Sequence, residues 1–172
     1  MLRAEGQRKI EFQLLQHVND LLQPLIRRGR ASDLAAVAVL LQEAKLPTED
    51  LANAPGLSLW VLEIEGELAG VVALEGTEPT SRLLRSLVVA PAHRRRGMGH
   101  DLVAQVERDA RTEGIERLVL LTDTAQSLFD RLGYAVIERS AAPETLRQSA
   151  EFRSLCPSSA VCMAKRLSPI RG

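Results

Sequence analysis

The chain has 172 residues, with 22 Lys+Arg against 22 Asp+Glu, so no net field draws it to nucleic acid or to an anionic membrane, and any basic function must be local. Its length suits one domain that buries most of the surface its unfolded form would expose. Apolar runs such as LAAVAVLL and LVLL fall well short of the roughly 18 to 20 residues that span a bilayer. The opening MLRAEGQRKIEFQLL has neither the apolar stretch nor the small-residue cleavage site of a secretory leader, so the expectation is a cytoplasmic protein whose Cys156 and Cys162 are free thiols. Aromatic residues make up 3% of the chain, which leaves the core to Leu, Val, Ile and Ala.

In chain order, Ile10, Leu14, Leu15, Val18, Leu21 and Leu22 recur at helical spacing over residues 8–22, and Pro24 ends that helix. The segment LIRRGR reads as a short strand. ASDLAAVAVLLQEAKLP reads as a helix capped by Ser32 and closed by Pro47. LSLWVLEIEGELAGVVALEG holds two β-rich runs joined at Glu65-Gly66, the pattern of an antiparallel hairpin, and RLLRSLVVAP supplies a third strand. GMGHDLVAQVERDARTEG carries an apolar stripe of Leu102, Val103, Val106 and Ala110 up to Gly114, as an amphipathic helix does. ERLVLLTD reads as a strand buried on both faces, TAQSLFDRLGY as a short helix and AVIERS as another strand. A helical turn after Pro143, an irregular loop around Pro157 and a last strand over residues 160–167 complete the chain. The expected architecture is α/β (α+β): a helical extension over residues 1–23, then one domain over 24–172 with helices packed on a central mixed sheet.

PAHRRRGMGHDLV, residues 91–103, holds the most informative chemistry. Between a strand ended by Pro91 and a helix opened by Gly97, the backbone must turn and leave several N–H groups without intrahelical partners. The helix adds roughly half a positive charge at that end, and glycines at 97 and 99 let a ligand approach the backbone. A phosphate or pyrophosphate answers these demands, and Arg94, Arg95 and Arg96 supply charge-assisted hydrogen bonds. No Gly-Lys-Ser/Thr follows, so this is not a nucleoside-triphosphate loop, and the pattern is not G-x-G-x-x-G. The following helix presents Asp101, Glu107 and Asp109 besides its arginines, which argues against a nucleic-acid face.

LVVAPAHRRRGMG resembles the acyl-CoA-binding motif of the GNAT superfamily of N-acetyltransferases, Arg/Gln-x-x-Gly-x-Gly/Ala, through Arg94, Gly97 and Gly99. TDTAQSLFDRLGY is similar to the second CoA motif of that family, with Thr122 in place of its Asn and with Ala125, Leu128, Phe129, Gly133 and Tyr134 in register. The resemblance spans residues 25–167. It implies a mostly antiparallel sheet whose two central strands splay apart beyond RSLVV, so that the exposed strand edge pairs with the pantetheine arm of acetyl-CoA. In that reading Leu87 and Val89 contact the arm through their backbone, and Arg94, Arg95, Arg96, Gly97, Met98, Gly99 and His100 surround the phosphates. Thr122, Ala125 and Phe129 complete the cofactor wall, and a backbone N–H of Val88 or Val89 polarises the thioester carbonyl. No metal is implied.

Acetyl transfer to an amine also needs a base and an acid. The position where many family members carry an acidic Tyr is Phe129, and Tyr134 reads as a core residue. Glu75 is the candidate base, directly or through water; it reads equally as an exposed charge before a turn. Arg85 interrupts an apolar strand, and alternation places it on the face of Leu87 and Val89. Its anion is either an internal carboxylate or the carboxylate of the acceptor. The tail resembles the arsenic-resistance N-acetyltransferases through Glu151, Phe152, Cys156, Pro157, Ser159, Ala160, Cys162 and Met163, and the LTDTAQSLFDRLGY segment with its Pro-Glu helix also resembles the acetyltransferase domain of N-acetylglutamate synthase. Glu151, Phe152 and Cys156 are thereby candidate acceptor contacts, Cys156 either as a soft arsenic ligand or as a packing residue. Both resemblances imply a small amino-acid-like amine as partner, in arsenical resistance or in biosynthesis. A cofactor-binding scaffold without turnover is the reading from another class. The first helix is expected to cover an apolar face or to join a homodimer contact.

Overall fold

The computed structural model describes residues 6, 7, 9–16 and 23–168. Residues 9–16 are helical (α1), and Ile10, Phe12, Leu14 and Leu15 on it are all exposed. Over its described residues, then, the first helix does not bury its apolar side chains; Val18, Leu21 and Leu22 lie outside the described residues. Strand β1 is Leu25–Arg28, and helix α2, Leu34–Glu43, follows a tight turn at Ala31–Asp33. Ser32 does not cap α2. The Asp33 carboxylate closes the turn instead, accepting the Arg30 N–H at 2.7 Å and the Arg27 guanidinium at 2.8 and 2.9 Å.

Strands β2 (Ser58–Ile64) and β3 (Glu67–Glu75) form the expected hairpin. Glu65 and Gly66 turn between them at φ +55° and +79°, the left-handed pair that a two-residue turn needs to match strand twist. β4 (Ser81–Val89) pairs antiparallel with β3, and α3 (Met98–Thr112) crosses to β5 (Arg117–Thr122), which lies parallel to β4. α4 (Gln126–Arg131), β6 (Ala135–Val136), α5 (Glu144–Arg147), a π-helical turn at Glu151–Leu155 and β7 (Val161–Arg166) complete the domain. AVIERS is therefore a strand only at its start. It is an exposed sheet edge that pairs with β7 alone, and the chain then bends so that Ala142 and Leu146 pack beneath Leu83, Val119 and Cys162.

The sheet order is β1-β2-β3-β4-β5-β7-β6, with every pairing antiparallel except β4 with β5. Helix α3 covers one face through Leu102, Val103 and Val106 against Trp60, Leu62, Val72 and Leu118. Helix α2 covers the other through Val37, Leu40 and Leu41 against Val61, Val71 and Ala73.

Two features of β4 set the site. Its parallel pairing with β5 covers only Ser81–Leu83 against Arg117–Val119, so from Leu84 onward the two strands diverge and one edge of β4 is open. A bulge also interrupts it: Val71 faces Val88 and Ala73 faces Arg85, so three steps on β4 match two on β3, and Ser86 sits at φ +57°.

Candidate active site

The bulge corrects the expectation that Arg85, Leu87 and Val89 share a face. One inserted residue reverses the alternation, so Leu87 and Val89 pack on the α3 side, while Arg85 points to the α2 side with its partner Ala73. Past the bulge, the Ala90 N–H donates to the Ala69 carbonyl at 2.8 Å and Val88 opposes Val71. Antiparallel alternation therefore turns the Val88 amide toward β3 and the Val89 amide toward the open edge. Arg94 Nε donates to the Val89 carbonyl there at 2.8 Å.

The loop after β4 builds an anion-binding concavity. Arg95 and Gly97 sit at φ +64° and +77°, and the first bond of α3 is the Asp101 N–H to the Gly97 carbonyl at 3.0 Å. The N–H groups of Arg95, Arg96, Gly97, Met98, Gly99 and His100 find no acceptor among the described residues. Successive free donors on a left-handed turn at a helix N-terminus form a nest for an anion. A Cβ at Gly97 would meet nothing within 4 Å, so the glycine serves the left-handed backbone rather than a close approach. A cavity of about 640 Å³ opens here between Leu87, Val89, Arg95, Gly99, His100 and Leu128. Arg96 is exposed and lies on the rim outside it.

Leu87, Val89, Arg94 and Ala125 also line a second cavity of about 750 Å³, which enters the gap between β4 and β5 past Thr122 and Phe129. Thr122 takes a local structural part, accepting the Ala125 N–H on its Oγ1 at 3.0 Å at the start of α4. Phe129 is buried and meets Tyr134 edge-on, ring centroids 5.3 Å apart. Tyr134 is a core residue, as expected; burial pushes its phenol pKa up, and its hydroxyl lies away from both cavities. Among the described residues, no group of three or more His, Cys, Asp or Glu side chains could hold a metal ion, and no helix is long and apolar enough to cross a membrane.

At the inner end of the larger cavity Arg85 is buried at 5% exposure and held by three carboxylates. Its Nη1 donates to Asp50 Oδ2 and Glu75 Oε2, both at 2.5 Å, and its Nη2 reaches Asp50 Oδ1 and Glu151 Oε1 at 2.8 Å. The guanidinium's anion is thus internal, and the reading of Arg85 as an acceptor-carboxylate clamp gives way because both terminal nitrogens are occupied. Glu75 is 3% exposed, not an exposed turn charge, and it stands behind Arg85 rather than on the cavity wall. Burial pushes its carboxyl pKa up despite the Arg85 hydrogen bond, whereas that bond holds Asp50 below its usual range. Of the three carboxylate residues in the cluster, Glu151 lines the cavity.

Cys156, also on the wall, donates its thiol hydrogen to Glu151 Oε2 at 2.7 Å. Burial and the neighbouring Glu151 push that thiol up to about 12, so Cys156 stands here as a hydrogen-bond donor to Glu151. Phe152 packs with Leu83, Val119 and Leu146 and stays off the cavity wall, because the π-helical turn directs Glu151, not its neighbour, inward. Sequence reasoning misses Asp50, whose partner is 35 residues away and whose only signal is that a strand arginine needs counter-charge.

A family model described as the acetyltransferase (GNAT) family matches residues 24–134. Mycothiol acetyltransferase of Geodermatophilus obscurus is 36% identical over 83 residues, covering 48% of this chain and 26% of that protein. Among solved structures, N-acetylglutamate synthase from Neisseria gonorrhoeae, complexed with coenzyme A and N-acetyl-glutamate, superposes with a TM-score of 0.72 at 28% identity, over 85% of this chain and 35% of that one. Rv2747 from Mycobacterium tuberculosis, in a complex with CoA, gives 0.70 at 25% identity over 84% and 99%. The chain thus spans about a quarter to a third of the first two relatives.

Proposed function

Because the chain belongs to the acetyltransferase (GNAT) family, we propose that it transfers the acetyl group of acetyl-CoA to the amino group of a small amino-acid-like acceptor. One observation carries this reading: a single cavity joins the open edge of β4, beside the donor loop at residues 95–100, to a buried cluster with three carboxylates for one guanidinium. The first end fits an amide-bearing arm and its phosphates; the second suits a cationic amine. The likeness to N-acetylglutamate synthase and Rv2747, whose structures hold coenzyme A, supports CoA as the ligand.

Acetyl-CoA supplies an activated thioester when bound. The N–H groups from Arg95 to His100 hold its phosphates, and the side chain of Arg94 leaves the Val89 carbonyl to free the strand edge. The Val89 amide faces the gap where the acyl oxygen would lie, and it is the donor in this reading. An alkylammonium has a pKa near 10 and must lose a proton before attack. Glu151 accepts Arg85 on Oε1 and the Cys156 thiol on Oε2, but each carboxylate oxygen keeps a second lone pair. Through it Glu151 meets the amine and takes that proton, directly or through water, while Glu75 acts as a positioning residue that fixes Arg85 and through it Glu151. The acceptor class includes phosphinic and arsinic analogues of glutamate, for which the tail resemblance speaks.

The test is release of free CoA with a panel of L-glutamate, phosphinothricin, the arsinic analogue and other α-amino acids. Turnover on at least one is expected. Acetyl-CoA binding without turnover on any of them would refute the proposal in favour of a cofactor-binding scaffold.

A further inference from the structure

Helix α2 ends in a Schellman motif: the Leu46 N–H donates to the Leu41 carbonyl and the Lys45 N–H to the Gln42 carbonyl, both at 2.9 Å. Leu46 packs back onto the cluster containing Leu41, as the motif requires. The residue past the cap must then adopt a left-handed backbone, which glycine takes freely, yet this chain puts Lys45 there at φ +58°. A long cationic side chain held in a disfavoured conformation lines the larger cavity. Backbone strain retained at a cavity wall is a reason to ask what the side chain does there.

Three cations line that cavity: Lys45, Arg85 and Arg94. Arg85 is consumed by Asp50, Glu75 and Glu151, and Arg94 sits on the Val89 carbonyl beside the anion loop. Lys45 has no hydrogen-bond or ion-pair partner for its ammonium among the described residues. The adjacent acidic residue, Glu49, instead accepts the Thr48 N–H at 3.0 Å. Of the three acidic residues on the wall, Glu49, Asp123 and Glu151, only Glu151 belongs to the buried cluster around Arg85, and the wall also carries the exposed, unpaired ammonium of Lys45 on the α2 loop. That charge pattern fits a zwitterion.

Building on the acetyl-transfer reading, we propose that Lys45 binds the α-carboxylate of the acceptor, so that free amino acids are preferred over the corresponding simple amines. An ammonium-carboxylate contact forms at Lys45 while the acceptor amine is held at Glu151, and the carboxylate role that Arg85 cannot fill passes to a residue on a different element.

The experiment compares α-amino acids (L-glutamate, L-phenylalanine, L-histidine, phosphinothricin) with phenethylamine and histamine, in the wild type and in K45M, K45R and K45G. K45M should raise KM for the carboxylated acceptors about 10- to 100-fold and leave KM for the decarboxylated amines unchanged, with K45R retaining most of the preference. K45G should weaken carboxylated acceptors as K45M does while raising Tm, a split that a merely structural role for Lys45 would not give. Equal changes for both acceptor classes, or no change in K45M, would overturn the assignment. If the wild type acetylates nothing on the panel, the acetyl-transfer reading fails separately, and calorimetric binding of the same panel to the CoA-bound protein decides Lys45: affinity that depends on the carboxylate and is lost in K45M upholds it, and affinity indifferent to K45M rejects it.

Discussion

Replacing Arg85 with Met removes the guanidinium that Asp50, Glu75 and Glu151 share and leaves three carboxylates, two of them 7% exposed or less, without compensation. Breaking a buried pair by deleting one partner costs about 3 to 5 kcal/mol, because the surviving charge remains desolvated. For a domain of this size each kcal/mol lowers Tm by about 2 to 4 °C, so R85M should melt roughly 6 to 20 °C below the wild type at pH 8. The sign of the pH effect follows from the carboxylates. In the wild type, the Arg85 bond depresses Asp50, a contribution present above its unfolded pKa and lost as pH falls. In R85M, loss of the guanidinium ends the depression of Asp50 and leaves Glu75 raised by burial without its Arg85 bond, so the stability tied to Glu75 is full below its unfolded pKa and lost as pH rises through its folded value. Both effects make the gap widest at pH 8 and smaller near pH 4 to 5. Urea unfolding followed by circular dichroism measures it, and R85M/E75Q, with one buried charge fewer, should recover part of the loss at pH 8. A cost under about 1 kcal/mol at pH 8, or a gap independent of pH, would refute an internal role for Arg85, the more so if KM for carboxylated acceptors rose instead.

Two further variants probe the two ends of the site. Gly97→Val forces a β-branched residue to φ +77° and strains the donor loop out of its left-handed turn, so CoA affinity measured by calorimetry should fall about tenfold or more, at least as far as in R95A; a larger loss in R95A would mean that arginine charge leads. At Cys156, a thiol raised to about 12 should react with iodoacetamide at pH 8 far more slowly than a free cysteine, and E151Q, by removing the carboxylate beside the sulfur, should speed alkylation severalfold. An unchanged rate in E151Q would place the protection in burial alone.

Legibility follows the range of the interaction. The β2–β3 hairpin is written in two adjacent residues, Glu65 and Gly66, and the anion loop in a local run ending in glycine, so both can be read from the amino-acid order alone. The carboxylate cluster cannot: Asp50 comes from the loop after α2, Glu75 from the end of β3, and Glu151 from a π-helical turn, brought together only by the packing of the sheet. Lys45 is hidden for a different reason. A Schellman motif is expected from glycine, and LQEAKLP offers none, so the helix end is signalled by Pro47 alone.

The bulge at Ser86 is illegible as well, since serine carries no bulge signature, yet it connects fold to chemistry most directly. Without the inserted residue, period-two alternation would keep Arg85 on the face of Leu87 and Val89, against Leu102, Val103 and Val106, where a guanidinium would be buried among aliphatic side chains with no counter-charge. With it, the same strand presents backbone groups and apolar side chains to the cofactor side, and two residues earlier delivers a cation to the opposite face, beneath the acceptor cavity. A bulge also bends a strand and increases its local twist, and β4 and β5 diverge just ahead of this one. The charge cluster that would receive the amine therefore depends on one left-handed serine, and the open edge that would receive the acyl donor begins beside it.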